Sequence, residues 1–304
     1  MNLNKKKFIK NIYILFLAFF FYACAENDTE SSLTIVTWNI ERFPKAENTI
    51  DLLAELIIEI NADVFGLQEI TSANYFNQLI NKINDLDLIN SWIGFRSGSN
   101  NSTYQELAYI IKTSSININQ NPYTILNQED YYFAYREPYV IEISYLNNDF
   151  LIINNHFKCC GDGILENKNT SDEEYRRKIS SELLKQYVDE NLSEQKVIII
   201  GDLNDELNDS TINNVFNSFL NDSTNYKFAD MNIALGTETN WSYPGWPSHL
   251  DHIIITNEIF EIFSNPRSII QTFHVENYFN GGNNEYNEYI SDHLPVALQL
   301  QLNP

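Results

Sequence analysis

The sequence predicts an α+β domain in which two packed β-sheets are flanked by helices. Strand-like segments outnumber helical ones, few pairs of strands are separated by a single crossover helix, and no linker or repeat is visible after residue 32. These observations favour packed sheets over a doubly wound parallel sheet. The 304 residues are 43% hydrophobic and 20% charged, a globular composition that excludes wholesale disorder.

The chain begins with a stretch that predicts export. Four lysines within residues 5–10 precede the apolar run Ile12–Ala23. That run fits the roughly 7–15 residues of a secretory signal and is shorter than the roughly 17–25 of a membrane-spanning helix. Because Ala23 stands directly before Cys24, the segment resembles a bacterial lipoprotein signal in which Cys24 becomes lipidated. The alternative is an ordinary signal peptide with a buried cysteine.

This interpretation divides the chain into three parts. Residues 1–23 are a lipoprotein signal peptide, residues 24–32 a flexible tether, and residues 33–304 the folded domain. We therefore expect a cell-envelope protein that is lipid-anchored to a bacterial membrane and faces the periplasm or the exterior. No protein partner is inferred from the sequence.

The charge limits the partners of the folded domain. The signal holds four lysines and no acids, so the formal net charge changes from −22 to −22 − 4 = −26 in the mature chain. Such acidity argues against a protein that holds nucleic acid by bulk charge. It leaves room for an enzyme that contacts phosphate at one metal-loaded site.

Three segments have the features of helices. In Thr49–Ile60 the apolar residues at positions 50, 53, 57 and 60 share one helical face. The segment Tyr75–Ile83 is the second predicted helix. Ser171 and Glu174 form a capping box for a third helix that runs to about Asn191.

Nine apolar or β-rich runs predict strands. The run Lys196–Gly201 is apolar without alternation, so its strand is expected to be buried on both faces. In chain order the predicted strands are Leu33–Asn39, Asp63–Glu69, Leu107–Lys112, Val140–Tyr145, Phe150–His156, Lys196–Gly201, His252–Thr256, Ser268–Thr272 and Leu294–Leu302.

Polar residues gather at the ends of these strands. A strand that stops at Asn, Asp, Glu or His places those groups at a sheet edge, where sites are built. One such residue alone is more typical of a turn or a helix cap, but six fragments in order are not explained by capping. The residues are Asn39, Glu69, His156, Asp202 with Asn204, Asp251, and Asp292 with His293.

The ordered set TWN…QE…H…GDxN…LDH…SDHLPV resembles the endonuclease/exonuclease/phosphatase superfamily over residues 33–302. The resemblance implies a four-layer α/β/β/α sandwich of two mixed sheets and a metal-dependent phosphoesterase. Two further fragments, STYQELAY with Tyr104 and Glu106 and YREPYV with Arg136, are similar to the deoxyribonuclease I branch.

Phosphoester hydrolysis requires neutralised phosphate oxygens, a deprotonated water and a protonated leaving oxygen. Mg²⁺ favours oxygen ligands, so Glu69 is the first ligand candidate, with Asn39 and Asp292 beside it, and the family pattern implies the same three. Mn²⁺ and Ca²⁺ are alternatives, and the number of ions stays open. Asp202 and Asn204 would complete the site, one orienting water or a second ion and the other donating to phosphate.

Two histidines can divide the proton transfers because imidazole titrates near neutrality. The pair is His156 and His293, and the resemblance implies Glu106 as the partner of His156 and Asp251 as the partner of His293. In some branches Asp202 is the base instead, and the sequence does not choose.

Arg136 and Tyr104 are candidate contacts to phosphate and sugar; the plainer interpretation is a surface ion pair and a core tyrosine. The basic run 176–178 predicts a solvated helix face, or alternatively a contact to the substrate backbone.

A metal-dependent phosphodiesterase that cuts DNA or RNA by in-line attack of water is the expected function, with nucleic acid as substrate. The alternative is a sphingomyelinase-like phospholipase or a phosphomonoesterase of the same superfamily, and a catalytically silent surface lipoprotein is the third possibility. The adjacent Cys159 and Cys160, directly after the strand that ends at His156, are unusual for the family. A vicinal disulfide, two thiols or an adventitious metal all stay open for them.

Overall fold

Two β-sheets pack face to face in the computed structural model, which describes residues 31–98 and 105–302. Residues from Ser32 onward form one unit by their contacts. The signal peptide, Cys24 and Tyr104 lie outside the described residues. Within the described part of the chain, no helix has both the length and the apolar composition that crossing a membrane requires.

The described residues form thirteen strands, several of them very short. They are β1 (Ser32–Phe43), β2 (Val64–Ile70), β3 (Trp92–Arg96), β4 (Glu106–Lys112), β5 (Asn117–Ile118), β6 (Tyr123–Thr124), β7 (Tyr139–Tyr145), β8 (Asn148–His156), β9 (Val197–Asp202), β10 (Tyr226–Phe228), β11 (Asp251–Thr256), β12 (Ile269–Thr272) and β13 (Val296–Gln301).

Seven α-helices lie among these strands in the described residues. They are α1 (Thr49–Ile60), α2 (Ala73–Leu86), α3 (Glu173–Asn191), α4 (Asn217–Leu220), α5 (Met231–Ala234), α6 (Phe260–Phe263) and α7 (Asn283–Tyr289). Three 3₁₀ helices cover Glu238–Asn240, Asn257–Ile259 and Val275–Tyr278.

The layers follow from which faces of the sheets are apolar. The first sheet has the order β12-β13-β1-β2-β4-β3, and the second has the order β10-β11-β9-β8-β7-β5 with β6 paired to β7. Helices α1 and α2 pack on the outer face of the first sheet, and α3 and α4 pack on the outer face of the second. A third apolar cluster joins the inner faces. The predicted four-layer α/β/β/α sandwich is confirmed.

Strand alternation decides which residues face the other sheet. In β9, Ile198 and Ile200 belong to the inner cluster whereas Ile199 packs against the helices outside. Successive side chains of a strand point to opposite faces, so Asp202 also faces inward. By the same count Asn39 follows Ile35 on the inner face of β1, and His156 follows Ile152 on that of β8. Polar side chains therefore replace apolar ones at one end of the inner layer.

Buried amides pin the two sheets together just below that end. The Gln68 side chain of β2 donates to Asn154 Oδ1 of β8 at 2.7 Å and to Thr37 Oγ1 at 3.1 Å. Asn154 Nδ2 in turn donates to the carbonyls of Leu67 and Ala108 at 3.0 and 3.1 Å. Because an unmade bond in this layer would leave a buried polar group unsatisfied, the network favours one alignment of the sheets.

Some local expectations are corrected. The N-cap residue of α3 is Asp172, whose side chain accepts a hydrogen bond from the Tyr175 amide. The predicted cap residue, Ser171, is exposed and lies one position earlier. The strands β3, β5, β6 and β10 and the helices α4–α7 are additional to the predicted elements. They are short or carry mixed polar residues, so their periodicity is weak.

The position of Gly201 generates a stability prediction. Its φ is +152°, and a Cβ built there would lie 2.2 Å from the Asn155 carbonyl oxygen of β8. Backbone strain and overpacking each contribute about 1–3 kcal/mol, so we expect Gly201→Ala to lower the free energy of unfolding by about 2 kcal/mol or more in urea titrations. The control is Gly245→Ala, where nothing lies within 4 Å, and its effect should stay within about 0.5 kcal/mol. Equal effects for the two variants would contradict the prediction.

Candidate active site

Three predicted site residues stand side by side on the second sheet. His156 is the last residue of β8 and Asp202 the last of β9, and the parallel register places them opposite each other. Asp251 begins β11 and pairs with Asp202 in the antiparallel register on the other side. All three side chains are buried. Hydrogen bonding between strands therefore brings together residues that are far apart in the sequence.

The first sheet contributes Asn39 and Glu69. Asn39 Nδ2 donates to Asp202 Oδ2 at 2.9 Å across the gap between the sheets, and it lies 3.3 Å from Glu69 Oε1. Glu69 follows the inward-facing Gln68, so alternation alone would turn it outward. A bulge prevents this, because the β2 register shifts there and Glu69 takes a φ of 68°. Bulges commonly re-aim a side chain beside an active site.

His293 completes the row from the loop before β13. Its Nδ1 lies 2.7 Å from Asp251 Oδ2, so the structure brings these two residues into contact. Its Nε2 lies 3.7 Å from Asp202 Oδ2, and the Tyr243 ring packs against the imidazole at 4.8 Å. Burial alone would lower the pKa of His293, but the Asp251 and Asp202 carboxylates raise it to about 10.

His156 has a different environment. Its Nε2 lies 3.5 Å from Asp202 Oδ2 and 3.9 Å from Glu69 Oε1. Burial, with Arg136 and His293 nearby, holds the pKa of His156 well below its usual value. The two imidazoles thus face the same carboxylate from opposite sides, one favouring the neutral and the other the charged form.

The expected partnership of Glu106 with His156 is not seen. Glu106 forms an ion pair with Arg96 on the neighbouring strand β3, and among the described residues no group hydrogen-bonds His156 Nδ1. Arg96 faces Glu106 because β3 and β4 pair edge to edge, and β3 was not predicted. The ion pair was therefore hidden from sequence reasoning.

Asp202 is almost completely buried in the site. Burial is the largest influence on it, and with Asp251 and Glu69 nearby it raises the pKa of Asp202 to about 7, although His293 acts in the opposite direction. Among the described residues, neither Asp202 nor Glu69 forms an ion pair with a lysine or arginine.

Arg136 and Asn204 hold the chain that leaves β8. Arg136 donates to the carbonyls of His156 and Phe157 at 3.1 and 2.7 Å and to Gln105 Oε1 at 3.0 Å. Asn204 Nδ2 donates to the Phe157 carbonyl at 3.2 Å. Asn204 does not continue an extended segment, because its φ is 56° and its amide donates to Asp202 Oδ1. Contacts of both residues to phosphate stay predictions.

Asp292 lies at the more exposed side of the site. Its Oδ1 is 3.9 Å from His293 Nε2, and its backbone amide donates to Glu41 Oε2 at 3.0 Å. Together with burial, Asp292 raises the pKa of Tyr243. Asp292 therefore belongs to the same end of the sandwich as the two sheets' carboxylates.

The donor set fits a hard divalent cation. Oxygens of Glu69 and Asp202 converge on the single amide of Asn39, at 3.3 and 2.9 Å from its nitrogen. Like-charged carboxylates this close repel each other unless a cation is shared, and carboxylate and amide oxygens are the ligands that Mg²⁺ takes. Asn39 and Glu69, with Asp292 nearby, would hold such an ion.

Arg177 is a residue that the sequence interpretation missed. The basic run is not a solvated face, because Arg176 and Arg177 are 8% and 3% exposed. Arg177 Nε lies 2.7 Å from Asp205 Oδ2, and Nη1 donates to the carbonyls of Lys158 and Cys160 at 2.8 and 2.6 Å. It thereby joins the loop after His156 to the loop after Asp202, without contacting the site itself.

A second cluster of residue types that can bind metal, Asp230, His249 and His252, has a structural role. Asp230 Oδ2 lies 3.0 Å from His249 Nε2 and 2.6 Å from His252 Nδ1. The other nitrogens are also engaged, His249 Nδ1 by the Ser242 amide and His252 Nε2 by the Asp205 carbonyl. With every ring nitrogen in a hydrogen bond, this cluster braces β11 and leaves no free ligand atom.

Comparison with solved structures shows a shared fold at low sequence identity. TDP2 from D. rerio, solved with a single-strand DNA product, superimposes with a TM-score of 0.62 at 13% identity, covering 90% of this chain and 100% of that chain. The human Nocturnin catalytic domain with bound sulfate gives 0.58 at 15% identity, covering 90% and 95%. An endonuclease/exonuclease/phosphatase from Bacteroides vulgatus gives 0.58 at 12% identity, covering 90% and 99%. No curated protein matches the chain.

The family comparison covers most of the sequence. The pattern of the endonuclease/exonuclease/phosphatase family matches residues 36–293, a span that runs from before Asn39 to His293. The family expected from the strand-end motifs is thus confirmed. The chain belongs to the endonuclease/exonuclease/phosphatase family and is a metal-dependent phosphoester hydrolase.

Proposed function

We propose that the protein is a lipid-anchored phosphodiesterase of the bacterial cell envelope that hydrolyses DNA or RNA with Mg²⁺. The observation that carries the proposal is the meeting of His156 and His293 at one buried carboxylate, Asp202, with Asn39 and Glu69 beside it. Cys24 as the lipidated residue and residues 1–23 as its signal supply the proposed location.

The two histidines supply the proton transfers in this proposal. Asp251 fixes the ring of His293 through Nδ1, which leaves Nε2 directed at the site. His156 likewise presents Nε2 toward Asp202 and Glu69. When a phosphodiester lies at the site, one histidine can protonate the leaving oxygen while the other takes a proton from the attacking water. Asp202, facing both rings, is the alternative base.

A divalent ion, when bound, would neutralise the phosphate oxygens and help deprotonate water. The chain's own contribution is to present ligands of the right type. Asn39 and Glu69 come from adjacent strands of the first sheet, and Asp292 from the loop before β13. Arg136 holds the end of β8 by its carbonyls and lies near Glu69 and Asp202, so it adds positive potential at the site.

Nucleic acid is the proposed substrate for two reasons. The fragments that contain Tyr104, Glu106 and Arg136 are similar to the deoxyribonuclease I branch, and a protein of similar fold, D. rerio TDP2, was solved with a single-strand DNA product. The net charge of −22 for the full chain opposes binding along the phosphate backbone of a nucleic acid. We therefore expect contact with a few nucleotides at the site rather than with a long stretch.

Metal removal is the first test. Treating the mature protein with a chelator is expected to abolish hydrolysis of bis(p-nitrophenyl) phosphate, and Mg²⁺ should restore it, with Mn²⁺ and Ca²⁺ compared in parallel. Mg²⁺ should also raise the thermal midpoint of the wild type, because a ligand that binds the folded state stabilises it. Glu69→Gln should lose most of that rise. Turnover that is indifferent to chelation would refute the assignment.

Replacement of either imidazole tests the proton transfers. His156→Ala and His293→Ala are each expected to lower kcat for the same diester by roughly 10²–10⁴-fold, the usual contribution of general acid–base catalysis. His274→Ala is the matched control, because that half-exposed histidine pairs with Glu276 away from the site. Circular dichroism checks the fold of each variant. Full activity of either site variant removes that histidine from the mechanism.

Substrate class is decided by parallel assays. The wild type is incubated with supercoiled plasmid, single-stranded DNA, RNA, sphingomyelin vesicles and a phosphomonoester, each with Mg²⁺ and with His293→Ala as a blank. Cleavage of a nucleic acid alone supports the proposal. Cleavage of sphingomyelin or the monoester without nucleic acid would replace it with the phospholipase or phosphomonoesterase alternative.

A further inference from the structure

Two adjacent thiols lie on the loop that directly follows β8. Cys159 and Cys160 are both free, and their Sγ atoms are 2.9 Å apart. Cys160 is exposed and Cys159 is half-buried, so small molecules in solution reach the pair. No step of the proposed hydrolysis uses either thiol, and no group of three metal-ligating side chains among the described residues includes one.

The backbone holds both thiols on one side of the loop. In extended chain, neighbouring side chains point in opposite directions. Here Cys160 has a φ of 72° and Gly161 a φ of 114°, so the chain turns in the left-handed region instead. Arg177 Nη1 holds this turn in place, because it donates to the carbonyls of Lys158 and Cys160 on either side of Cys159. The proximity of the sulfurs is therefore built into the turn.

The surroundings favour the chemistry of a reactive dithiol. Lys158 Nζ lies 3.9 Å from Cys159 Sγ, and a neighbouring ammonium stabilises a thiolate. The contact with Cys159 raises the pKa of Cys160. With an ammonium beside its sulfur, Cys159 is placed as the attacking thiol, and Cys160 stands next to it as the resolving thiol.

We propose that Cys159 and Cys160 form a redox modification site that closes a reversible vicinal disulfide by exchange with a disulfide oxidant. The Cys159 thiolate attacks one sulfur of the oxidant R–S–S–R, forming a mixed disulfide and releasing R–S⁻. The Cys160 sulfur then attacks Cys159 Sγ, which forms the intramolecular S–S bond and releases the second R–S⁻. Two cysteine thiols are oxidised, one oxidant disulfide is reduced, and the two cysteine protons end on two R–SH molecules.

Reversibility follows from the spacing of neighbouring residues. Consecutive Cα atoms are about 3.8 Å apart, whereas disulfides usually join Cα atoms about 4.4–6.8 Å apart. A bond between neighbours is therefore strained, and strained or exposed disulfides belong to the easily reduced class. The pair is suited to switching rather than to stabilising the fold.

The test needs no activity assay, so it is independent of the proposed substrate. The mature protein is reduced, freed of reductant, incubated with oxidised glutathione, alkylated and digested with trypsin. Cleavage after Lys158 and Lys168 releases a peptide, residues 159–168, that contains both cysteines and no other. We expect this peptide to lose two hydrogen atoms, to carry neither alkyl group nor glutathione, and to regain two alkylatable thiols after dithiothreitol.

Matched variants make the outcome decisive. Cys159→Ser and Cys160→Ser each retain one thiol in the peptide, so they should stop at a stable glutathione adduct. The peptide of the double variant should show no change in mass, and this variant controls for reactions of Cys24. Circular dichroism checks that all variants fold. A wild-type peptide that stays fully alkylatable, that retains glutathione, or that is found only in a disulfide-linked dimer would overturn the proposal.

Discussion

The hydrogen bond from Asn39 to Asp202 crosses from one β-sheet to the other, and the candidate site depends on it. At 2.9 Å it holds the C-terminal half of β1 against the end of β9. Asp202 in turn faces His156 on one side and His293 on the other. Each sheet contributes only part of the chemistry, so a small slip between the sheets would separate the histidines from the carboxylate ligands. The buried Gln68–Asn154 bond below the site opposes such a slip.

The buried carboxylates of the site lower the stability of the folded protein. Asp202 and Asp251 are buried beside each other, and Glu69 is close by. Burying charge without a partner is unfavourable, and Asp251 meets this by pairing with His293. Among the described residues, Asp202 is contacted by the side-chain amide of Asn39, the backbone amide of Asn204 and two imidazoles, and it forms no ion pair with a lysine or arginine. A site of this kind trades stability for function, since the unmatched negative charge is what a divalent ion requires.

Strand patterns in the sequence predicted two packed sheets and the strand-end polar residues, and the family resemblance implied the four layers. His156 and Asp202 end apolar strands, Asn39 follows the apolar part of β1, and alternation places all three on the inner faces. Glu69 illustrates the limit, since only the bulge turns it inward. The expected contact of Glu106 with His156 is not seen, because Arg96 of the unpredicted strand β3 pairs with Glu106 instead.

Arg177 is a second residue whose contacts could not be predicted from the sequence pattern. In the sequence it belongs to a basic run on a helix, and nothing local indicates that its guanidinium is buried. Its role depends on two loops, after β8 and after β9, that converge only in the folded chain. Contacts between loops leave no periodic trace in the sequence, so they could not be predicted from pattern alone.

The same arginine has a consequence for how this connection can change in evolution. It anchors the chain at Lys158 and Cys160, and Glu174 accepts the amide of Gly163, so the first part of the connection after β8 is fixed close to α3. Residues 164–171 lie beyond these anchors and are almost wholly exposed. Insertions and deletions in that stretch leave the hydrolytic end of the sandwich undisturbed. The length of this single connection can therefore vary at little cost to the fold.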